Sequence, residues 1–323
     1  MRILLTILVL FGTAYTCVAA GPVDAEGRPL VKKLGTVSVD IVETSPIVLH
    51  GKLYRCEWFR KAECFHFVDC ETGRTTPQFA KGWCFASAFV DGDTVYVTGT
   101  RPGKEVQVWA SRDLEQWDSW TALDLPGFNI FNTSICKANN QYALMFEIDK
   151  PVEQAGSPFT ARFATSDDLK RWTVTPAECV YAKDRYTAPH CLRYFDGYYY
   201  DFYLESIHGG YEQFVVRSKD FIHWDSSPLN PVLRASDEDR KIANPSLTAE
   251  QRQRIAIAKN LNNSDIDFCE YQNHLVIFYS WGDQVGTEHL AQAVYEGTTA
   301  DFLRGWFPEC KRGASAKGEE SNY

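Results

Sequence analysis

Apolar and polar positions along this chain recur in a fixed order: a short apolar run, a two-residue polar turn, and a second run rich in β-branched and aromatic residues. The order occurs five times. The first runs span residues 45–49, 85–90, 134–138, 189–194 and 267–271, and the second span 53–59, 95–99, 142–148, 198–204 and 275–280. Between them stand His50-Gly51, Asp91-Gly92, Asn139-Asn140, Asp196-Gly197 and Gln272-Asn273. Most of these are the residue types that short hairpins require, because the turn backbone must enter the left-handed region. The flanking runs have the composition of strands packed on both faces.

Three units close on a shared phrase. Ser111-Arg112-Asp113-Leu114-Glu115-Gln116-Trp117, Ser166-Asp167-Asp168-Leu169-Lys170-Arg171-Trp172 and Ser218-Lys219-Asp220-Phe221-Ile222-His223-Trp224 all read Ser-x-Asp-[Leu/Phe]-x-x-Trp. The phrase predicts a local device: a strand ends at the Ser, the Asp holds a turn through backbone N–H groups, and the Leu and Trp fold back over a sheet edge. A degenerate fourth copy, Asp301-Phe302-Leu303-Arg304-Gly305-Trp306, follows the last apolar run. Recurrence every 50 or so residues marks a repeat architecture. Five such units close most simply into an all-β, five-bladed β-propeller. Residues 246–259 break the pattern with helix formers and a Thr248…Gln251 capping signal, which predicts one short helix inserted between blades four and five. The expected organisation is a signal peptide at 1–20, a catalytic propeller at 21–308 that opens with an irregular lead-in strand at 21–40, and a disordered tail at 309–323.

Composition narrows the compartment and the partners. Arg2, the apolar run 3–11 and the small residues Val18-Ala19-Ala20 have the layout of a secretory signal cleaved after about Ala20. The protein is therefore expected to be secreted or periplasmic. The leading run is too short to span a bilayer and no other stretch is long and apolar enough, so no membrane span is expected. A net charge of -9 argues against nucleic acid, which wants a basic face. Removing Cys17 with the signal leaves nine of the ten cysteines, an odd number without regular spacing. Cys56, Cys84, Cys136, Cys191 and Cys269 lie in or beside apolar runs and read as packing thiols, with Cys136, Cys191 and Cys269 expected to be reduced and buried.

Strand polarity places the chemistry. In a propeller the first strand of each unit lines the axis, so its start lies at one mouth, and the antiparallel second strand ends there. The starts carry Glu43, Trp83, Asn132, Tyr186, Asp265 and Asp267; the ends carry Glu57, Arg60, Arg101, Glu147, Glu205, His208 and Trp281. Isolated acids at strand ends more often cap turns than catalyse. Several acids on one crowded mouth, however, shift one another's pKa values. The candidate catalytic acids are Asp265, Asp267, Glu147, Glu205 and Glu57, with Glu43 next in line; a buried carboxyl among them would suit general acid work. Arg60, Arg101, Asn132, His190, His208 and Trp281 are candidates for binding substrate. The chemistry requires no cofactor. Asp265, Asp267 and His190 could alternatively hold an axial Ca²⁺, which favours oxygen donors.

The repeated phrase, the blade-four opening Tyr186-Thr187-Ala188-Pro189-His190 with Asp196-Gly197-Tyr198-Tyr199-Tyr200 behind it, and the count of five together resemble the five-bladed propeller glycoside hydrolases. These include the arabinanase/β-xylosidase, invertase/fructanase and neoagarooligosaccharide hydrolase groups. The resemblance covers about residues 36–308 and implies a glycosidase acting on a plant or algal oligosaccharide or polysaccharide, trimming chain ends through a pair of carboxyl groups. Two positions depart from it. Where the arabinanase-like families open blade one with an Asp before Pro, this chain has Ser45 before Pro46; where they open blade four with a Glu, it has Thr187. These departures sustain an alternative, a carbohydrate-binding propeller without catalysis.

Overall fold

The computed structural model describes residues 21–101, 103–188, 191–207 and 209–308. The expected signal, the expected tail, His190 and His208 lie outside the described residues. The first strand, β1 (Lys32–Val39), belongs to the last blade. Blade one consists of β2 (Thr44–Leu49), β3 (Lys52–Phe59) and β4 (Cys64–Asp69), and blade two of β5 (Cys84–Asp91), β6 (Thr94–Thr100), β7 (Glu105–Ser111) and β8 (Asp118–Asp124). Blade three is β9 (Asn129–Ala138), β10 (Gln141–Lys150), β11 (Thr160–Ser166) and β12 (Thr173–Val174), with the one-turn helix α1 (Val152–Ala155) between β10 and β11. Blade four is β13 (Cys191–Phe195), β14 (Tyr198–Ile207), β15 (Gly210–Ser218) and β16 (Trp224–Ser226). Helix α2 (Ala249–Ile257) follows, and then β17 (Asn262–Tyr271), β18 (His274–Gly282), β19 (Glu288–Tyr295) and helix α3 (Thr299–Gly305). The fold is a five-bladed β-propeller with a short helix between blades four and five, as the periodicity predicts.

Four hairpins fall on the expected turns, and the blade-two turn lies one residue later than expected, at Gly92-Asp93. His50, Asn139, Asp196, Gln272 and Asn273 take φ between 50 and 66°, the left-handed backbone that these tight turns need. The three repeated phrases behave alike. In each, one Asp oxygen accepts two backbone N–H bonds, from Glu115 and Gln116 to Asp113, from Lys170 and Arg171 to Asp168, and from Ile222 and His223 to Asp220, all at 2.8–2.9 Å. Leu114, Leu169 and Phe221 turn inward and are buried. Trp172 and Trp224 donate their indole N–H to the Leu169 and Phe221 carbonyls. The fourth copy differs: Asp301 caps α3 together with Thr298, and Phe302, Leu303 and Trp306 are buried on that helix. Its Asp therefore serves a helix N-terminus rather than a turn.

The lead-in segment closes the ring. β1 pairs antiparallel with β19, so blade five runs β1-β19-β18-β17 and its outermost strand comes from the other end of the chain. A buried polar clasp fixes that strand. Lys33 Nζ lies 2.7 Å from Asp239 and donates to Asn263 at 2.6 Å, and the Tyr279 hydroxyl donates to Asp239 at 2.8 Å. A charge this deep is tolerated because each polar atom finds a partner. Blade one has three strands, and residues Thr75 and Phe79 bridge to Val68 and Phe65 along its outer edge.

Between blades the wedges are filled by side chains of the middle strands and of the repeated phrase. Phe79 stacks on Trp117 at 3.9 Å and Phe163 on Phe221 at 4.3 Å. Cys56, Cys136 and Cys191 are buried thiols, and Cys269 is only partly buried because it faces a cavity at the lower end of the axis. Two cavities lie along that axis: a small upper one of about 40 Å³ at the strand starts, and a lower one of about 370 Å³ at the strand ends. Arg193, which lines the lower cavity, ion-pairs with Asp267, which lines the upper one, and this pair forms the partition between them.

Candidate active site

The upper cavity is built from the leading halves of the inner strands of blades one, two, three and five, with Glu43 just ahead of β2. Its polar lining includes Glu43, Ser45, Ser87, Asn132, Asp265 and Asp267. Asp265 reaches it through a distortion of β17: the register with β18 shifts between Ser264 and Asp267, and Asp265 adopts φ 53°. Asp tolerates this left-handed backbone better than most residues. The bulge aims the carboxyl into the mouth, where Ser264 donates a hydrogen bond to it.

The Asp265 carboxyl responds to the Glu43 carboxylate beside it. Burial among protein groups at the mouth, and then the nearby Glu43 carboxylate, push the Asp265 carboxyl up to about 8, against the bonds from Ser264 and Ser280. Burial also raises Glu43, but Arg60 opposes the shift. The Arg60 guanidinium lies 3.7 Å from Glu43 and 3.0 Å from Glu288, over the Trp58 ring. Arg60 thus favours charge on Glu43, and a charged Glu43 favours the proton on Asp265. One acid holds a proton at neutral pH beside another that has a cation to support its charge.

The other sequence candidates sit in different surroundings. Asp267 lines the same cavity, yet Arg193, the Phe268 N–H and the Cys191 thiol all bond one of its oxygens. Glu57 lies opposite Thr44 in the blade-one register, but it is buried and paired to Arg55 and to His66, the latter at 3.1 Å. Burial alone would raise its carboxyl; His66 and Arg55 outweigh that and hold it below the usual range. It is a structural ion pair at the wedge with blade five, where Arg55 lies over Phe278. Glu147 is buried behind Asn132, whose amide donates to it at 3.0 Å, so Asn132 is its link to the cavity. Glu205 is bonded by Arg185 at 2.9 Å and by the Tyr203 hydroxyl at 2.7 Å. Arg101 pairs with Glu105 at 2.6 Å over the Trp83 ring.

Trp281 corrects an expectation. It is 1% exposed, packs edge-on against His289 and donates its indole N–H to Thr36 in the clasp that holds β1, so no sugar can stack on it. Of the trio considered for an axial Ca²⁺, Asp267 turns its carboxylate to Arg193 and His190 lies outside the described residues. Among the described residues no three His, Cys, Asp or Glu are placed to hold a metal.

The aromatic surface of the mouth comes from elsewhere. Neighbouring rings run in a chain from blade one to blade four: Trp58 to Phe85 at 5.3 Å, Phe85 to Phe131 at 6.1 Å, Phe131 to Phe159 at 4.5 Å, Phe159 to Tyr186 at 5.8 Å, and Tyr186 to Tyr211 at 5.6 Å. All six are half-buried. Sequence reasoning reached Tyr186 as a strand-start residue and missed most of the rest. Tyr211 and Glu288 stand at the starts of third strands, β15 and β19, which antiparallel pairing also returns to the mouth; extending the polarity argument by one strand finds both. Phe159 belongs to a loop and carries no such signal.

No protein-family model matches the chain, and no curated protein matches its sequence. Solved structures do share its fold. They include the GH43B of the Bacteroides ovatus xyloglucan PUL, with a TM-score of 0.56 and 10% identity over 81% of this chain and 54% of that one. The catalytic domain of the Coprinopsis cinerea GH62 α-L-arabinofuranosidase superposes with a TM-score of 0.55 and 10% identity over 85% of this chain and 94% of that one. An N-acetylgalactosamine deacetylase from F. plautii, solved with blood group B trisaccharide, gives 0.54 and 13% over 88% and 96%. At these identities the likeness establishes the five-bladed architecture.

Proposed function

We propose that this protein is a glycoside hydrolase whose working pair is Asp265 and Glu43. The observation that carries the reading is that these two acids share one small axial cavity, where burial raises both carboxyls, Asp265 up to about 8, while Arg60 opposes the rise at Glu43. Asp265, protonated up to about pH 8, donates a proton to the glycosidic oxygen as the bond to the anomeric carbon breaks. Glu43, its charge supported by Arg60, either activates a water or attacks the anomeric carbon. A cavity of about 40 Å³ has room for a water or two rather than a sugar ring, so the sugar lies across the mouth with its apolar face on the aromatic chain. The blind floor formed by Arg193 and Asp267 suits removal of terminal residues, which supports an exo mode on a plant or algal chain. The leader-like start of the sequence supports secretion.

Activity on carbohydrate by the GH43, GH62 and deacetylase structures agrees with a sugar ligand. The alternative, a binding propeller without catalysis, draws on Thr187, a buried hydroxyl where the resembling hydrolases carry a Glu. Incubating the protein with arabino-, xylo-, fructo- and agaro-oligosaccharides, with and without chelator, and following new reducing ends separates the readings. New ends support hydrolysis, and their loss with chelator would bring the Ca²⁺ alternative back. Binding without turnover favours the alternative.

A further inference from the structure

Tyr186 lies in the mouth but in no strand. It belongs to the long connection between blades three and four, which is irregular from 176 to 188. Its ring meets Phe159 edge-on on one side and Tyr211 on the other. Tyr211 sets it beside the acids. The Tyr211 N–H donates to Asn262 at 2.9 Å, at the start of β17. Gln213, two residues further along the same face of β15, accepts the Asp265 N–H at 2.9 Å in the amide orientation that satisfies both of its ends. Burial, then Glu147, Asp265, Tyr211 and Glu43, push the Tyr186 phenol well above its ordinary range, so its hydroxyl stays a donor among carboxyl groups.

A loop residue holds such a position only if something fixes the loop, and the next residue back supplies it. Arg185 donates to Glu205 through Nε at 3.1 Å and Nη2 at 2.9 Å, and through Nη2 to the Tyr181 hydroxyl at 3.1 Å. Glu205 also accepts from the Tyr203 hydroxyl at 2.7 Å, and the Tyr203 oxygen in turn accepts from the Tyr181 hydroxyl at 3.1 Å. Two loop side chains, Tyr181 and Arg185, are thus tied to two side chains of β14. The Glu205 carboxylate, at the mouth by strand polarity, is occupied in this pin.

We propose that Tyr186 is the specificity-determining residue of the mouth, giving its ring face and its hydroxyl to the sugar bound beside Asp265, and that Glu205 is a positioning residue that sets Tyr186 there through Arg185. The ligand is a neutral saccharide with a hydroxyl or ring oxygen that accepts from the phenol. This rests on the saccharide reading of the mouth, so the test has one arm that does not need it.

That arm is amide hydrogen exchange on the full chain without ligand. Glu205→Gln removes the strand-borne charge that Arg185 pairs with and leaves only the exposed Asp184 of the loop itself, and exchange at residues 181–188 should rise about tenfold or more while blade five is unchanged. Unchanged exchange at 181–188 overturns the positioning role. The second arm is calorimetric binding of xylotetraose and arabinotetraose. Tyr186→Phe should weaken binding about fivefold through the lost hydroxyl, and Tyr186→Ala about thirtyfold through the lost ring face as well. Glu205→Gln should weaken it nearly as far as Tyr186→Ala, and the double variant should be no weaker than Tyr186→Ala alone, because both changes remove the same contact. Losses that add, or a Tyr186→Ala protein that binds normally, overturn the proposal. A wild type that binds neither sugar refutes the role of Tyr186 and weakens the saccharide reading, while exchange still decides what Glu205 does.

Discussion

Replacing Asp265 with asparagine keeps the shape of the mouth and removes its titration, so wild type and variant should differ in stability in a pH-dependent way. In the unfolded chain this carboxyl titrates near 3.8, and in the fold near 8. The folded state therefore binds the proton more tightly. Its contribution to stability is fully present below about pH 4 and is lost as pH rises through about 8. At about 1.4 kcal/mol per pH unit the ceiling is near 6 kcal/mol. Water at the open mouth and the charge shared with Glu43 reduce the expected effect to about 2 kcal/mol. Urea unfolding of both proteins at pH 4 and pH 9 measures it. Asp265→Asn should gain about 2 kcal/mol on wild type between the two conditions. Parallel behaviour of the two proteins across this range would place Asp265 among ordinary solvated carboxylates and refute the electrostatic argument for the site.

Other consequences follow from the same contacts. Arg193→Leu leaves Asp267 inside the channel without its cation and should cost about 3–5 kcal/mol in urea unfolding; an unchanged midpoint would mean that the partition of the axis is solvated. Trp281→Ala should cost about 3–5 kcal/mol as a core truncation while leaving KM for any oligosaccharide unchanged, and a raised KM with normal stability would restore it as a sugar platform. Deleting residues 21–39 removes β1 and Lys33, opening the β19 edge and stranding Asp239. The shortened chain should elute as aggregate on size exclusion, and a soluble monomer with native circular dichroism would contradict closure by the lead-in strand.

Much of the architecture was legible because it is written in local rules. Turn residues that must adopt left-handed backbone, β-branched runs and a phrase whose Asp bonds its own backbone amides are decided within a few positions, and each repeats. The role of β1 was not legible, since its partner β19 lies about 250 residues away and lone strands look alike from either end. The site was legible only as a ring. Polarity brought Glu43, Asn132, Asp265 and Asp267 to one cavity, but it could not tell a working acid from one held by a neighbour. Glu57 is paired by His66 on the next strand, and Asp267 by Arg193 from the inner strand of the preceding blade. Such partners are contacts between elements, invisible in a spacing. The ranking of Asp265 above its fellows depends on a bulge that no turn residue announces.

The claim that Asp265 and Glu43 divide acid and base work is tested most directly by the pH dependence of kcat/KM on whichever oligosaccharide the wild type cleaves, measured for wild type, Asp265→Asn and Glu43→Gln. The wild type should show a bell whose basic limb falls near pH 8, and Asp265→Asn should lose that limb along with about a thousandfold or more in rate. Glu43→Gln should lose about as much and lack the acidic limb. Near-normal rates in both variants, with the basic limb still in place, would contradict the account and move the chemistry to another part of the mouth.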